Sequence, residues 1–156
     1  PISILLSPAY FIMNLTGRWK GEYTYGRGYP LAMVGKSCEF IFDIQDKAGE
    51  LTGICFDDVQ AAVADNTSEI SGFFLDGAIS FVKTYKYHLL MDHDGKRLDA
   101  YNPQSHGIHY SGRLRKRLFS RKPYFSGKWQ ITSDYKTSSG ETLVHTVEGT
   151  WTMSSM

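Results

Sequence analysis

One triplet recurs through the chain: an apolar residue, then Ser or Thr, then Gly. It stands at Leu15-Thr16-Gly17, Leu51-Thr52-Gly53, Ile70-Ser71-Gly72, Tyr110-Ser111-Gly112 and Phe125-Ser126-Gly127, with Val147-Glu148-Gly149 as a relative. In an extended strand the first and third residues share a face, so the apolar residue and the Gly point inward and the hydroxyl points to water. Glycine weakens a strand interior, and its recurrence at one phase marks bends or close side-chain approach, as at barrel corners. Three copies run on into Gly-x-Trp, at Gly17-Arg18-Trp19, Gly127-Lys128-Trp129 and Gly149-Thr150-Trp151. The spacing is irregular, which excludes a solenoid and fits successive strands of one sheet. Ten Tyr and nine Phe among 156 residues agree with a pleated, aromatic-rich surface.

The turns test this reading. Asp76-Gly77 is a two-residue hairpin signal. Pairing Leu75 with Ala78 sets Phe74 opposite Ile79, Gly72 opposite Phe81 and Ile70 opposite Lys83, all on one face. Near the C-terminus, Ser138-Ser139-Gly140 suits a three-residue loop, which sets Ile131 opposite Val147, Trp129 opposite Gly149 and Gly127 opposite Trp151. Each Trp then faces a Gly. Strands are expected over Gly17–Tyr25, Ser37–Gln45, Glu50–Asp58, the hairpin from Glu69 to Tyr87, Gly107–Arg117, Tyr124–Tyr135 and Thr142–Met153. An Asp46-Lys47-Ala48-Gly49 turn would oppose Ile44 to Leu51, Phe40 to Cys55 and Cys38 to Asp57. That leaves the two cysteines diagonal, a poor disulfide geometry. Residues 89–105 read as a long polar loop with a short strand near Leu98–Tyr101, and Val59–Ala64 as one helical turn. Eight sequential antiparallel strands fit an all-β, up-and-down barrel, closed to remove exposed edges and wide enough for side chains or one small ligand.

One domain, residues 15–156, accounts for this length. Residues 1–14 form an apolar extension, too short to cross a bilayer and without a basic flank. Met13, directly before the first strand, is a candidate start. Two cysteines are too few for a disulfide scaffold. The expectation is a cytoplasmic protein with no membrane partner.

The strand order resembles the calycin superfamily, and within it the avidin/streptavidin group, whose members open on Gly-x-Trp as Gly17-Arg18-Trp19 does. The likeness continues through Gly49-Glu50-Leu51-Thr52-Gly53, Tyr110-Ser111-Gly112 and the Trp129 strand to Gly149, over residues 15–153. It implies a barrel with a pocket at one end. The ligand-facing positions it implies are Cys55, Asp57, Lys83, His106, Ile108, Tyr110 and Trp129. The position of the aspartate that holds the biotin ureido group falls on Trp151, so the resemblance does not imply biotin binding.

Lys83 is the most informative single residue. In phase with Ile79, Phe81 and Tyr85, it faces inward, where an ammonium needs a partner or a depressed pKa. It either anchors an acidic ligand (or forms a Schiff base), or makes an internal salt bridge to Asp57, or snorkels at the rim. Asp57, if inward, makes a charged pocket floor with it; otherwise Asp57 and Asp58 cap a turn. Tyr23, Tyr25, Tyr85, Tyr87 and Tyr110 share the inward phase with Trp129.

Other chemistry finds little footing. His106 and His109 fall on opposite faces, a poor metal pair. His145, inward and opposite Ser133, lacks an acidic orienter. No cofactor is implied. Charge is asymmetric: residues 1–80 carry five Lys and Arg against ten Asp and Glu, and residues 81–156 twelve against six. The basic run Arg113, Arg115, Lys116, Arg117, Arg121 and Lys122 puts its alternate arginines outside. The acidic half repels phosphate and no RNP signature is present, so a solvated face or a subunit contact is expected rather than nucleic acid. The leading reading is a non-enzymatic barrel holding a small aromatic or carboxylated ligand at its open end through Tyr23, Tyr25, Cys55, Asp57, Lys83, Tyr85, His106, Tyr110 and Trp129, with homo-oligomers allowed. The alternatives are an isomerase or cyclase using Lys83, Tyr85 and His106, and a structural module with a filled barrel.

Overall fold

A computed structural model describes residues 13–57, 67–85, 88–91, 97–100, 107–117 and 120–156. The strands are β1 (Gly17–Tyr25), β2 (Ser37–Lys47), β3 (Glu50–Asp57), β4 (Thr67–Leu75), β5 (Ala78–Tyr85), β6 (His88–Met91), β7 (Arg97–Ala100), β8 (Ile108–Arg117), β9 (Ser120–Lys136) and β10 (Thr142–Ser155). All but β6 and β7 close into one antiparallel barrel, in the order β1-β10-β9-β8-β5-β4-β3-β2. β6 and β7 pair with each other, β7 where a short strand near Leu98–Tyr101 was expected and β6 largely within the stretch read as polar loop. Val59–Ala64 and Tyr87 lie outside the described residues. Among those described, no helix is long and apolar enough to cross a membrane.

Turn chemistry sets the registers. Asp76 and Gly77 take positive φ of 49° and 75°, and the hairpin pairs Phe74 with Ile79, Gly72 with Phe81 and Ile70 with Lys83, as its sequence requires. The β9–β10 hairpin pairs Trp129 with Gly149 and Gly127 with Trp151. Gly149 is obligatory there: a Cβ would lie 2.0 Å from the Thr24 carbonyl and 2.6 Å from the Trp129 ring. The β2–β3 register differs from expectation by two residues, with Ile44 opposite Gly53 and Phe42 opposite Cys55. The turn there is only Ala48-Gly49, both at positive φ, and the Asp46 carboxylate accepts the Gly49 N–H at 2.8 Å. A shift of two preserves each residue's face. It also separates Cys38 from Cys55, which are thiols.

The interior is layered. At the base, Leu15 plugs the barrel, its N–H bonded to Asp46 Oδ2 at 2.9 Å and its carbonyl to Trp19 Nε1 at 2.8 Å. Trp19, Leu51, Ile79, Phe125 and Met153 surround it, all buried. Phe40, Phe42, Phe81 and Trp151 fill the middle. Hence the apolar residue of each Leu/Ile/Tyr/Phe-Ser/Thr-Gly triplet is buried from Leu15 to Phe125. The far end is where polar residues enter. Beyond it β9 and β10 run on as a two-stranded hairpin, because β1 stops pairing at Tyr25–Gly149. His145 sits on that overhang and is exposed, not inward.

Candidate ligand-binding site

The far end gathers residues from six strands and one loop. Inward alternation brings Tyr23 and Tyr25 from β1, Cys55 and Asp57 from β3, and Lys83 and Tyr85 from β5 into one layer. Tyr110 from β8 and Trp129 from β9 join them. Lys83 is 1% exposed and Asp57 9%. The ammonium meets both carboxylate oxygens, at 2.5 and 2.6 Å. The internal salt bridge left open by the sequence is therefore formed, with Asp57 turned inward.

Asp57 is crowded with donors. The Tyr85 hydroxyl donates to Oδ2, and the Cys55 thiol to Oδ1 at 3.6 Å. Lys83 Nζ also lies over the Tyr23 ring at 5.4 Å and the Tyr85 ring at 4.8 Å, within reach of cation–π attraction. Burial, reinforced by the Asp57 charge, pushes the Tyr23, Tyr85 and Tyr110 hydroxyls well above their ordinary range. Burial likewise raises the Cys55 thiol, against the pull of Lys83. These groups stay protonated at neutral pH. The layer is thus a neutral ion pair ringed by hydroxyl and thiol donors.

Beside the pair stands an aromatic wall. Trp129 meets Tyr23, Tyr25 and Tyr29 edge to face at 6.1, 6.2 and 5.9 Å, and its indole N–H donates to the Thr24 carbonyl at 3.2 Å. Tyr110 stacks on Phe81 at 4.8 Å. Ile108 is half-buried at the same level, and Trp151 is buried one layer deeper.

Two members are absent from the sequence-derived set. Tyr29 comes from the β1–β2 loop, which folds back so that Glu148 N–H bonds Arg27 O at 3.0 Å. Its hydroxyl is pushed up to about 12 by burial. Nothing periodic marks that loop. Ser68, 2% exposed and opposite Cys55, turns its hydroxyl toward that thiol. It lies two residues before Ile70 in the same phase, and extending the alternation past Glu69 finds it. His106 lies outside the described residues.

No family model matches the chain, and no curated protein matches it in sequence. Among solved structures, rhizavidin is similar at 10% identity over 86% of this chain and 81% of that one, with a TM-score of 0.44. The rhizavidin–biotin complex is similar at 12% identity over 86% of this chain and 98% of that one, with a TM-score of 0.43. The likeness is distant, and the eight-stranded closed barrel stands on the ladder registers themselves.

Proposed function

We propose that this protein is a non-enzymatic binding barrel whose far end takes a small, uncharged aromatic molecule bearing a hydrogen-bond acceptor. The observation that carries this reading is the donor crowding at Asp57. Lys83 and Tyr85 occupy its oxygens, so the carboxylate has little left to offer a ligand donor. Lys83 has three ammonium protons, and two of them go to the Asp57 oxygens. An incoming group gains most by accepting. Because Asp57 already neutralises Lys83, a carboxylated ligand would bring an uncompensated charge into a dry layer, which is costly. The Tyr23, Tyr25, Tyr29 and Trp129 rings supply faces and edges for an aromatic ring. Acid–base catalysis is the weaker reading, since a general acid or base works best with a pKa near the operating pH. The tyrosine hydroxyls are moved the other way.

The test is a titration with neutral aryl amides (benzamide, acetanilide, naphthamide) and the matching carboxylates, followed by tryptophan emission. The amides should give a saturable change that is lost in Trp129→Phe. They should also bind about tenfold or more weaker to the doubly substituted Lys83→Met/Asp57→Asn protein, the scale of one charge-assisted hydrogen bond. No saturable response to any amide, or tighter binding of the carboxylates, overturns the reading.

A further inference from the structure

The outside of the barrel carries a basic, acid-free stretch that the far-end site does not use. Residues 100–133 contain seven Lys and Arg and no Asp or Glu. Alternation along β8 and its neighbour β9 puts Arg113, Arg115 and Lys128 on the outer face, all exposed, and none of the three forms an ion pair among the described residues. Arg113 and Arg115 stand two residues apart on one strand, about 7 Å. Lys128 lies diagonally across from Arg113, about 7–8 Å away, and Ser111 and Ser126 complete the square. The nearby acids do not oppose this patch. Asp43, Glu39 and Glu148 are neutralised by Arg18, Lys20 and Arg27, and Glu50 and Glu69 lie on β3 and β4, at least two strands from β8.

A groove of about 310 Å³ opens beside these bases, on the outside of β9, β10, β1 and β2. Lys122 and Tyr124 line it from β9, Thr152 and Ser154 from β10, and Glu22 and Glu39 from β1 and β2. The ladders fix the order: Arg115 opposes Tyr124, Tyr124 opposes Ser154, and Thr152 opposes Glu22. An irregularity shapes the β9 wall. Pairing slips between Arg115 and Arg117, so that Ser120 to Tyr124 of β9 run against only Arg115 to Arg117 of β8. Pro123 falls in the slip, where no ladder N–H is needed, and such a bulge re-aims the side chains beside it. Glu39 is held by Lys20, whereas Glu22 forms no ion pair among the described residues.

We propose that this side of the barrel binds single-stranded nucleic acid, with backbone phosphates on Arg113, Arg115 and Lys128 and one base in the groove. Exposed guanidinium and ammonium groups in a row hold a phosphate chain without regard to its sequence. Tyr124, half-buried and directly across from Arg115, offers a ring on which a base stacks, the combination that single-strand binders use. The acids on the opposite wall add selectivity. A carboxylate repels phosphate but accepts hydrogen bonds from exocyclic amino groups. Glu22 therefore turns the backbone toward β8 and favours bases that carry an amino group (cytosine, adenine, guanine) over thymine. A paired duplex has no free base for the groove and gains only the phosphate contacts. An anionic bilayer would use the arginines but has no planar ring for Tyr124.

Fluorescence anisotropy of labelled oligo-dC and oligo-dT of about 12 nucleotides, titrated with the full chain, tests this. The expected dissociation constant for oligo-dC is about 1 to 100 µM, rising with salt at a log–log slope of about 2, or about 0.7 for each of the three bases. Oligo-dT should bind about fivefold weaker, the scale of one hydrogen bond. Arg113→Thr with Arg115→Thr should weaken both oligomers alike and lower the slope to about 0.7. Tyr124→Thr should weaken oligo-dC on the order of tenfold with the slope kept, and Tyr124→Phe should bind as the parent does. Glu22→Thr should erase the preference for oligo-dC by strengthening oligo-dT. Ultraviolet crosslinking of a 5-iodocytosine oligomer to the unsubstituted protein should mark Tyr124, a readout that needs no variant. No saturable change below about 200 µM at about 50 mM salt overturns the proposal. Binding indifferent to Tyr124→Thr overturns it too, as does a crosslink confined to residues outside the groove, or binding of phosphatidylglycerol vesicles without binding of either oligomer.

Discussion

Replacing Lys83 by Met leaves the buried Asp57 carboxylate without its cation. Lys83 is 1% exposed and Asp57 9%, so solvent compensates little for the lost partner. Two unit charges about 3.5 Å apart attract by about 5 kcal/mol at an effective dielectric of about 20. That attraction offsets the desolvation of both groups in the native barrel, and the mutant loses the attraction while keeping the cost for Asp57. The remaining Tyr85 and Cys55 donors offset part of that cost. We therefore expect Lys83→Met to lose about 3 kcal/mol, the lower end of the range for breaking a buried pair.

Adding Asp57→Asn removes the orphaned charge and leaves a carbonyl for the Tyr85 hydroxyl. The double mutant should recover to within about 1 kcal/mol of the parent, since a buried pair replaced as a unit is often neutral. Urea unfolding at pH 7, followed by tryptophan emission, reads all three proteins. A single mutant within about 1 kcal/mol of the parent would refute the reasoning. So would a double mutant no more stable than the single.

Two further outcomes follow from the same barrel. Gly149→Ala must force a methyl against the Thr24 carbonyl and the Trp129 ring, and should cost about 2 kcal/mol or more, read as a lowered urea midpoint at unchanged slope. The raised hydroxyls of Tyr23, Tyr85 and Tyr110 act on stability above pH 10, where the unfolded chain ionises and the folded barrel holds its protons. Each should therefore withdraw up to about 1.4 kcal/mol per pH unit from pH 10 upward. Far-ultraviolet dichroism against pH should show cooperative unfolding there, together with the 295 nm rise of tyrosinate; separate, earlier tyrosinate formation would contradict the buried placement.

How far the sequence foretells this molecule depends on where its turns are legible. Asp76-Gly77 and the Ser138-Ser139-Gly140 loop have the residues that positive φ requires, and both registers follow from them. Ala48 at φ 55° has no such signature. Its turn is held by the Asp46 carboxylate, buried to 8% exposure and bonded to the N–H groups of Leu15 and Gly49. Nothing local in Asp46-Lys47-Ala48-Gly49 shows that a residue more than thirty positions earlier shares the acid, so the register comes out two residues off. Faces survived the error, and with them Cys55, Asp57, Lys83 and Tyr110 at the far end. Tyr29 was illegible because a loop without period places it through tertiary contacts. His145 misled because alternation continues along the hairpin after the barrel has ended.

Among the described residues two acids are buried, Asp46 and Asp57, and their partners differ. Asp46 at the base is satisfied by backbone N–H groups, a solution that fixes a turn and the plug. Asp57 is met instead by another charge, and a Lys83–Asp57 pair is a weak source of stability because two desolvation costs stand against one attraction. Apolar residues at both positions would extend the Phe40, Phe42 and Phe81 core and close the barrel more simply. What the pair provides that they would not is a fixed ammonium held between the Tyr23 and Tyr85 rings. That arrangement is what the proposed recognition of an acceptor-bearing aromatic ring would use.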